Sequence, residues 1–471
     1  RSPKTQNLHL FILFTNCIGT NKTRKLNFME SKIQLPNKTD SGTYYERYAK
    51  FVSEPKADFF RKFGLGIIMA KREGIYFYDA NGKRYINCHC NGGVFNLGHR
   101  NPLIIQSIKE GLDLYDIGNH HLVSAPKSLL AEKLVESMKI PGAKKNELIA
   151  KVMFGVSGGE AIDLALKIAQ GFTKRNTIVS LVGGYHGHTG LAVKTGDAKF
   201  LTPFNLQTDS NIQIPFGDME AMEQALASKP AAILLETVPA TLGMPIFSHE
   251  YIHRVRELCN QYGVTMILDE VQTGLSRTGK PWAFQHYGIC PDIVVVGKGL
   301  SGGIYPITAT CFRESYEKVF KKDPFIHIST FGGSEIGCYA GLKVLEIVNK
   351  PEFINQVNKL SEIFKEQLNQ LKKEFPRLTE IRQMGLFMGL VFQDSSTCMV
   401  FLKILLNNGI FTVYAANDKR VLQFLPPLVS TESEVAEILR ILRESLNELN
   451  DLKSSFLRLL VSLFVRDQNG K

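Results

Sequence analysis

The chain contains no apolar run of the roughly 18 residues needed to cross a bilayer as a helix. The stretch Leu8–Phe14 is too short, and its flanks do not form a signal peptide. There is no internal repeat and no low-complexity linker, which sets aside solenoids and beads-on-a-string architectures. Cysteine is sparse: eight residues without regular spacing exclude a small disulfide scaffold and fit a reducing compartment. Cys88-His89-Cys90 has the residue types of a zinc ligand set. No second Cys/His pair at ligand spacing accompanies it, so structural thiols are expected. His120-His121 likewise lacks a partner motif.

A basic stripe is missing as well, despite a net charge of +11. Residues 1–29 hold five basic residues and no acid, residues 454–471 carry +2, and residues 30–453 carry +4. The charge belongs largely to the ends, and no nucleic-acid or membrane partner is expected. The acid-free, basic start resembles an organellar transit peptide, or it is not native coding sequence, the first methionine being Met29. A cytoplasmic location is expected, with a mitochondrial one if that segment is a genuine transit peptide. The tail Phe456–Val465 reads as a docking helix or a terminal artefact.

What remains is ordinary globular composition, 44% hydrophobic and 21% charged, in 471 residues. Tyr76–Asp79 and Arg84–Asn87 flank Asn81-Gly82, the signal of a hairpin with a tight primed turn. From about 125 to 340, helical periodicity alternates with short buried strands, the pattern of an open α/β sheet. From about 340 to 453, amphipathic helices dominate, with strands near Leu386–Val391 and Val421–Leu425, as in a smaller α+β domain.

Five apolar runs in the middle segment end in unusual polar or glycine-rich elements. Val152–Phe154 leads into Ser157-Gly158-Gly159-Glu160, and Ile178–Val182 into Gly183-Gly184-Tyr185-His186-Gly187. Ala231–Leu235 ends at Glu236, Val264–Leu268 at Asp269-Glu270, and Ile293–Val296 at Gly297-Lys298-Gly299. Ligands of open parallel sheets bind beyond the carboxyl ends of the strands. Five such ends would gather an aromatic ring, two acids, a lysine and a glycine turn in one crevice.

Ser157 is a good cap for the amphipathic helix that follows, and the two glycines let backbone N–H groups approach an anion at its positive end. An ordinary capped turn is the alternative. The turn is not G-x-x-x-x-G-K-[ST], which argues against a nucleoside triphosphatase, nor G-x-G-x-x-G. Lys298 is either an exposed loop charge or a desolvated amine able to form a Schiff base. Asp269, directly after a buried strand, suits a pyridinium nitrogen. An anion site, a carboxylate, a lysine and an aromatic face are the parts that pyridoxal 5'-phosphate requires.

These residues resemble the signature of the class III pyridoxal-phosphate aminotransferases, which include ornithine and acetylornithine aminotransferases. The likeness is carried by Leu268-Asp269-Glu270-Val271-Gln272-Thr273-Gly274, Arg277-Thr278-Gly279, Trp282, Pro291-Asp292-Ile293 and Gly297-Lys298-Gly299-Leu300-Ser301-Gly302-Gly303. Gly98-His99, Ser157-Gly158-x-Glu160-Ala161, Tyr185-His186-Gly187, Thr330-Phe331-Gly332-Gly333 and Pro426-Pro427-Leu428 extend it over roughly residues 70–430. The resemblance implies a fold type I α/β enzyme with a large domain on a mostly parallel seven-stranded sheet and a smaller α+β domain from both chain ends. It implies a homodimer with shared sites. The expected division is an extension over 1–43, small-domain sequence at 44–110 and 346–453, the large cofactor domain at 111–345, and a tail at 454–471.

Carried over residue by residue, the resemblance makes Lys298 the Schiff-base lysine and proton shuttle, and Asp269 the partner of the pyridine nitrogen. Ser157, Gly158 and Gly159 would hold the phosphate, with His186 also in the cofactor site. Tyr185 would stack on the ring, Val271 would pack its other face, and Gln272 would bond the phenolic oxygen. Thr330 would reach the phosphate of the partner subunit's cofactor, and Glu236 would orient Asp269. The activity implied is ping-pong transfer of an amino group from an amino acid or ω-amine to a keto acid. A racemase, epimerase or aminomutase on the same scaffold shares these residues, and a non-catalytic relative is disfavoured by the intact Lys298 and Asp269.

Two positions depart from the ornithine-type pattern. Gln423 stands three residues before Pro426-Pro427, where many members carry a carboxylate-binding arginine, and Thr241 where they carry its glutamate partner. An amide supplies neither the fork nor the charge of an arginine, and an unpaired glutamate would be costly. Arg420 would face away from Gln423 on a strand. Either the donor lacks an α-carboxylate, or its carboxylate binds elsewhere.

Overall fold

The computed structural model describes residues 41–62, 66–207 and 211–451. The terminal segments 1–29 and 454–471, with Cys17, lie outside them. A seven-stranded sheet is built, edge to edge, from Ile149–Gly155, Thr308–Arg313, Ile293–Val296, Thr265–Asp269, Ala232–Glu236, Ile178–Leu181 and Asn211–Ile214. Only Thr308–Arg313 runs against its neighbours, so the expected mostly parallel sheet is present. Its central strands are buried at every position because both faces are covered. Along Ile293–Val296, Val294 and Val296 enter one core cluster while Ile293 and Val295 enter another, as the two-residue period of a strand requires.

The strands extend one residue further than polarity alone suggested. Glu236 and Asp269 are themselves the last paired residues, since the ladder runs on to Glu236↔Asp269 and Asp269↔Val295.

Both ends of the described chain build the second lobe. Met69–Glu73, Tyr76–Asp79 and Arg84–Asn87 form an antiparallel sheet that is completed by Ile410–Phe411, paired parallel to Ile86 and Asn87. A further four-stranded sheet joins Leu378–Met384, Phe387–Phe392, Val421–Phe424 and Val413–Tyr414. The helices Pro351–Glu374, Ser395–Asn407 and Glu432–Asp451 cover it with Phe364, Phe401 and Leu442, in a core separate from those of the large sheet.

Arg277 is fully buried at the seam of the two lobes. Its guanidinium donates to the Leu386 and Pro426 carbonyls and to the Asn96 side-chain oxygen. Burial lowers its pKa to about 10. Seven cysteines are free, and the described residues contain no cluster able to hold a metal. Among the described residues no helix is long and apolar enough to cross a membrane.

Candidate active site

The carboxyl ends of the parallel strands converge on one cleft. It is lined by Gly158, Gly159, Tyr185, His186, Glu236, Asp269, Val271, Gln272 and Lys298, nine of the residues singled out from sequence, together with Ile162, Gly187, Val238 and Thr273. Ser157, Thr330, Thr241 and Gln423 are not among the lining.

At one end lies the N-terminus of the 16-residue helix Gly158–Thr173. Ser157 caps it, its hydroxyl accepting from the Glu160 N–H at 3.3 Å and keeping its O–H as a donor. The glycines are required by crowding. A Cβ on Gly159 would fall 2.5 Å from Thr189 Oγ1, and one on Gly187 would fall 2.7 Å from Gly159 Cα. With no side chain there, the helix N–H groups face an open space suited to an anion.

In the middle, His186 Nδ1 lies 2.9 Å from Asp269 Oδ2, and the Val271 N–H donates to Asp269 Oδ1 at 3.0 Å. The aspartate is 7% exposed and thus anchored in direction. Glu236 stands beside it in register and accepts from the Tyr185 and Ala240 N–H groups, both at 3.1 Å. Burial, reinforced by the charge of Asp269, raises its pKa to about 7. Glu236 therefore shares a proton with solvent near neutrality, whereas its neighbour Glu270 is a filled structural site. Glu270 accepts from Thr237, Thr273 and the Ala283 and Phe284 N–H groups.

At the other end, Lys298 begins a short turn after the strand Ile293–Val296, in a left-handed conformation (φ 42°). Burial lowers its amine to about 8, against the opposing pull of Asp269 and Glu236. A cation that ionises there is neutral in a useful fraction near physiological pH, which makes it a nucleophile and a base.

The cleft fits pyridoxal phosphate. It offers an anion-binding helix end, a buried carboxylate, a desolvated amine and the Gln272 side-chain oxygen, buried without a partner. Bound there, the cofactor supplies an electron sink for the carbon that loses its proton. Fold and cleft together define a pyridoxal-phosphate enzyme of fold type I.

The comparisons give the family. The class-III aminotransferase model matches residues 61–446, and the chain belongs to that family. It is 49% identical over 390 residues to an uncharacterized aminotransferase of Archaeoglobus fulgidus, covering 83% of this chain and 90% of that one. It is 34% identical over 390 residues to an acetylornithine aminotransferase of Caldanaerobacter subterraneus, covering 81% and 95%. A putrescine aminotransferase of Pectobacterium atrosepticum is 32% identical over 383 residues, covering 79% and 80%. The fold matches the crystal structure of an ornithine aminotransferase from Toxoplasma gondii with a TM-score of 0.79 at 24% identity, covering 89% and 97%. The protein is a pyridoxal-phosphate-dependent aminotransferase that works through a Schiff base.

The remaining sequence-predicted residues lie around the cleft. Gln423 is buried and donates to the Ala240 carbonyl at 3.1 Å, next to Thr241, whose hydroxyl donates to the Gly183 carbonyl. The two departures from the family pattern are thus neighbours. Arg420 is exposed and paired with Asp418, so it does not replace the missing cation. Thr330 is exposed. Sequence reasoning missed the segment His89–Gly93. Gly92 lies against the reacting amine: a Cβ there would fall 3.1 Å from Lys298 Nζ. The signal available was the pair Gly92-Gly93, which marks a close backbone approach.

Proposed function

We propose that this aminotransferase accepts a primary amine without an α-carboxylate, such as an ω-amine or a diamine, and passes its amino group to a keto acid. In this reading Lys298 carries the cofactor and moves the proton of the donor carbon. Asp269 faces the pyridine nitrogen, with His186 and the Val271 N–H fixing its direction. Gly158 and Gly159 hold the phosphate, Tyr185 and Val271 enclose the ring, and Gln272 meets the phenolic oxygen.

The observation that carries the donor class is the charge of the cleft. Among the described lining residues Lys298 is the one Lys or Arg, beside two carboxylates. A donor carboxylate has no bidentate partner in this lining, Arg277 spends its fork on protein acceptors, and the carboxylate of the keto acid is met by a group outside these residues. The putrescine aminotransferase relative supports the same class. A screen of matched amines with and without an α-carboxylate tests it. The donor should convert the cofactor stoichiometrically to its amine form in the absence of keto acid. At least tenfold higher kcat/KM is expected for the amine without a carboxylate, the equivalent of about 1.4 kcal/mol. Preference for the carboxylated member would overturn the assignment.

We further propose a homodimer. Leu122, Val123, Phe325, Ile326, Ile328 and Phe331 are large apolar side chains between 48% and 95% exposed. They come from two adjoining segments, His121 and Phe325 having ring centroids 5.7 Å apart. A contiguous patch of this kind marks an interface, and the exposed Thr330 lies between Ile328 and Phe331 in the same segment. Sedimentation should give twice the chain mass, and Ile326→Asp should shift the species toward monomer. A wild-type monomer at micromolar concentration would refute this.

A further inference from the structure

One residue of the second lobe meets three segments of the large one. Asn417 lies, half-buried, in the connection between the paired strands Val413–Tyr414 and Val421–Phe424. Its backbone N–H donates to the Thr241 carbonyl at 2.9 Å. Its side-chain N–H donates to the Gly183 carbonyl at 2.5 Å. Its side-chain oxygen accepts from the Lys199 amine. These partners fix the way the amide points, since a carbonyl needs a donor and an ammonium an acceptor. The neighbouring Asp418 and Arg420 pair with each other. The connection thus spends its ion pair on itself and its amide on the other lobe.

All three segments lead to one aromatic ring. Gly183, with φ 75°, opens the turn that delivers Tyr185 to the cleft. The Tyr185 N–H donates to Glu236, and the same carboxylate accepts from the Ala240 N–H, so the turn and the loop that carries Thr241 are clamped together. The Thr241 hydroxyl is a second donor to the Gly183 carbonyl at 3.1 Å, and Gln423 holds the Ala240 carbonyl. The two positions that depart from the family pattern therefore belong to this circuit. Lys199 precedes Phe200 and lies over its ring, 5.0 Å from the centroid. Phe200 stands edge-on to Tyr185, centroids 5.9 Å apart, and His188 fills the angle at 5.2 Å from Tyr185 and 4.6 Å from Phe200. Tyr185 is held by its backbone through hydrogen bonds and at its ring by two aromatic neighbours. Asn417 ties both supports to the second lobe.

We propose that Asn417 is a positioning residue for the cofactor, setting from the second lobe the turn that presses Tyr185 on the cofactor ring. Asn417 is outside the lining of the cleft and acts through Tyr185. Without its amide the Gly183 carbonyl keeps the Thr241 hydroxyl as a donor, so the fold survives while the turn gains freedom. The inference rests on the placement of Tyr185 at the ring and names what holds it there.

The test uses the holoenzyme and two readouts that do not depend on turnover. One is the visible circular dichroism of the bound cofactor, and the other is the rate at which the amine form of the cofactor leaves the protein in cofactor-free buffer. Asn417→Ala should speed release by about 3–10-fold, the range for one neutral hydrogen bond, and alter the dichroic band. Asn417→Asp keeps the size and the Lys199 contact but puts an oxygen against the Gly183 carbonyl, and should match it. Should the Ala variant fail to fold, seen as a lost thermal transition, the Asp variant carries the same comparison. Tyr185→Ala should itself release the cofactor faster, and in that background Asn417→Ala should add nothing. Unchanged readouts for the Asn417 variants, with or without a lower thermal midpoint, would overturn the role of Asn417, as would an equal effect with and without the Tyr185 ring. If Tyr185→Ala alone changes neither readout, the placement of Tyr185 fails instead, and the two failures are distinct.

Discussion

Lys298→Ala protein should retain its fold and its affinity for the phosphate end of the cofactor, yet lose covalent attachment and turnover together. Loss of the general base alone accounts for about 10²–10⁴-fold, and loss of the nucleophile adds to it, so no activity above background is expected. The visible absorbance of the lysine-bound cofactor should vanish with it; its persistence would move the attachment to another residue. The same amine predicts a pH dependence. Its pKa is lowered to about 8, and only the neutral form attacks a carbonyl, so capture of added cofactor by the cofactor-free protein should accelerate as pH rises through 8 and then level off. Glu236 and Asp269 oppose the lowering. Glu236→Gln should therefore shift the midpoint down, and an upward shift would contradict the electrostatics of the cleft.

The second large effect is expected at Asp269. Asp269→Asn keeps the shape but removes the charge facing the cleft. An electrostatic stabiliser of this kind is worth about 10²–10³ in kcat. The partner His186, 2.9 Å away and buried, would keep a hydrogen bond to the amide. Asp269→Ala would leave that imidazole and the Val271 N–H without their acceptor, adding a stability loss of about 1–3 kcal/mol. The pair of variants separates chemistry from folding. Equal thermal midpoints for Asn and wild type, with kcat down at least 100-fold, are the expected result. An Asn variant with unchanged kcat would remove Asp269 from the catalytic machinery.

The catalytic end of the site was legible in the sequence because its residues are chained to strand ends. Glu236, Asp269 and Lys298 each follow a short apolar run, and a parallel sheet brings such ends to one edge whatever its exact register. Polarity misplaced the ends of two strands by one residue, since backbone pairing continues through Glu236 and Asp269. The substrate end was less legible. The segment His89–Gly93, whose Gly92 lies against Lys298, carries no signal beyond the pair Gly92-Gly93. Its place over Lys298 is made by the Leu425–Cys88 bond and by the parallel pairing of Ile410 and Phe411 with Ile86 and Asn87. These are tertiary contacts between distant stretches of chain.

Arg277 gives the arrangement a further consequence. A single planar cation holds Asn96, Leu386 and Pro426, three points drawn from the front, the middle and the back of the second lobe. Asn96 closes the turn over the amine, Pro426 ends the stretch that bears Gln423, and Arg277 itself follows the Asp269 loop. The guanidinium acts as a rivet through these three stretches of chain. A lysine carries its three donors on one nitrogen and cannot span acceptors set around a planar fork. A residue outside the lining of the cleft thus joins the loop after Asp269 to both sequence halves of the second lobe.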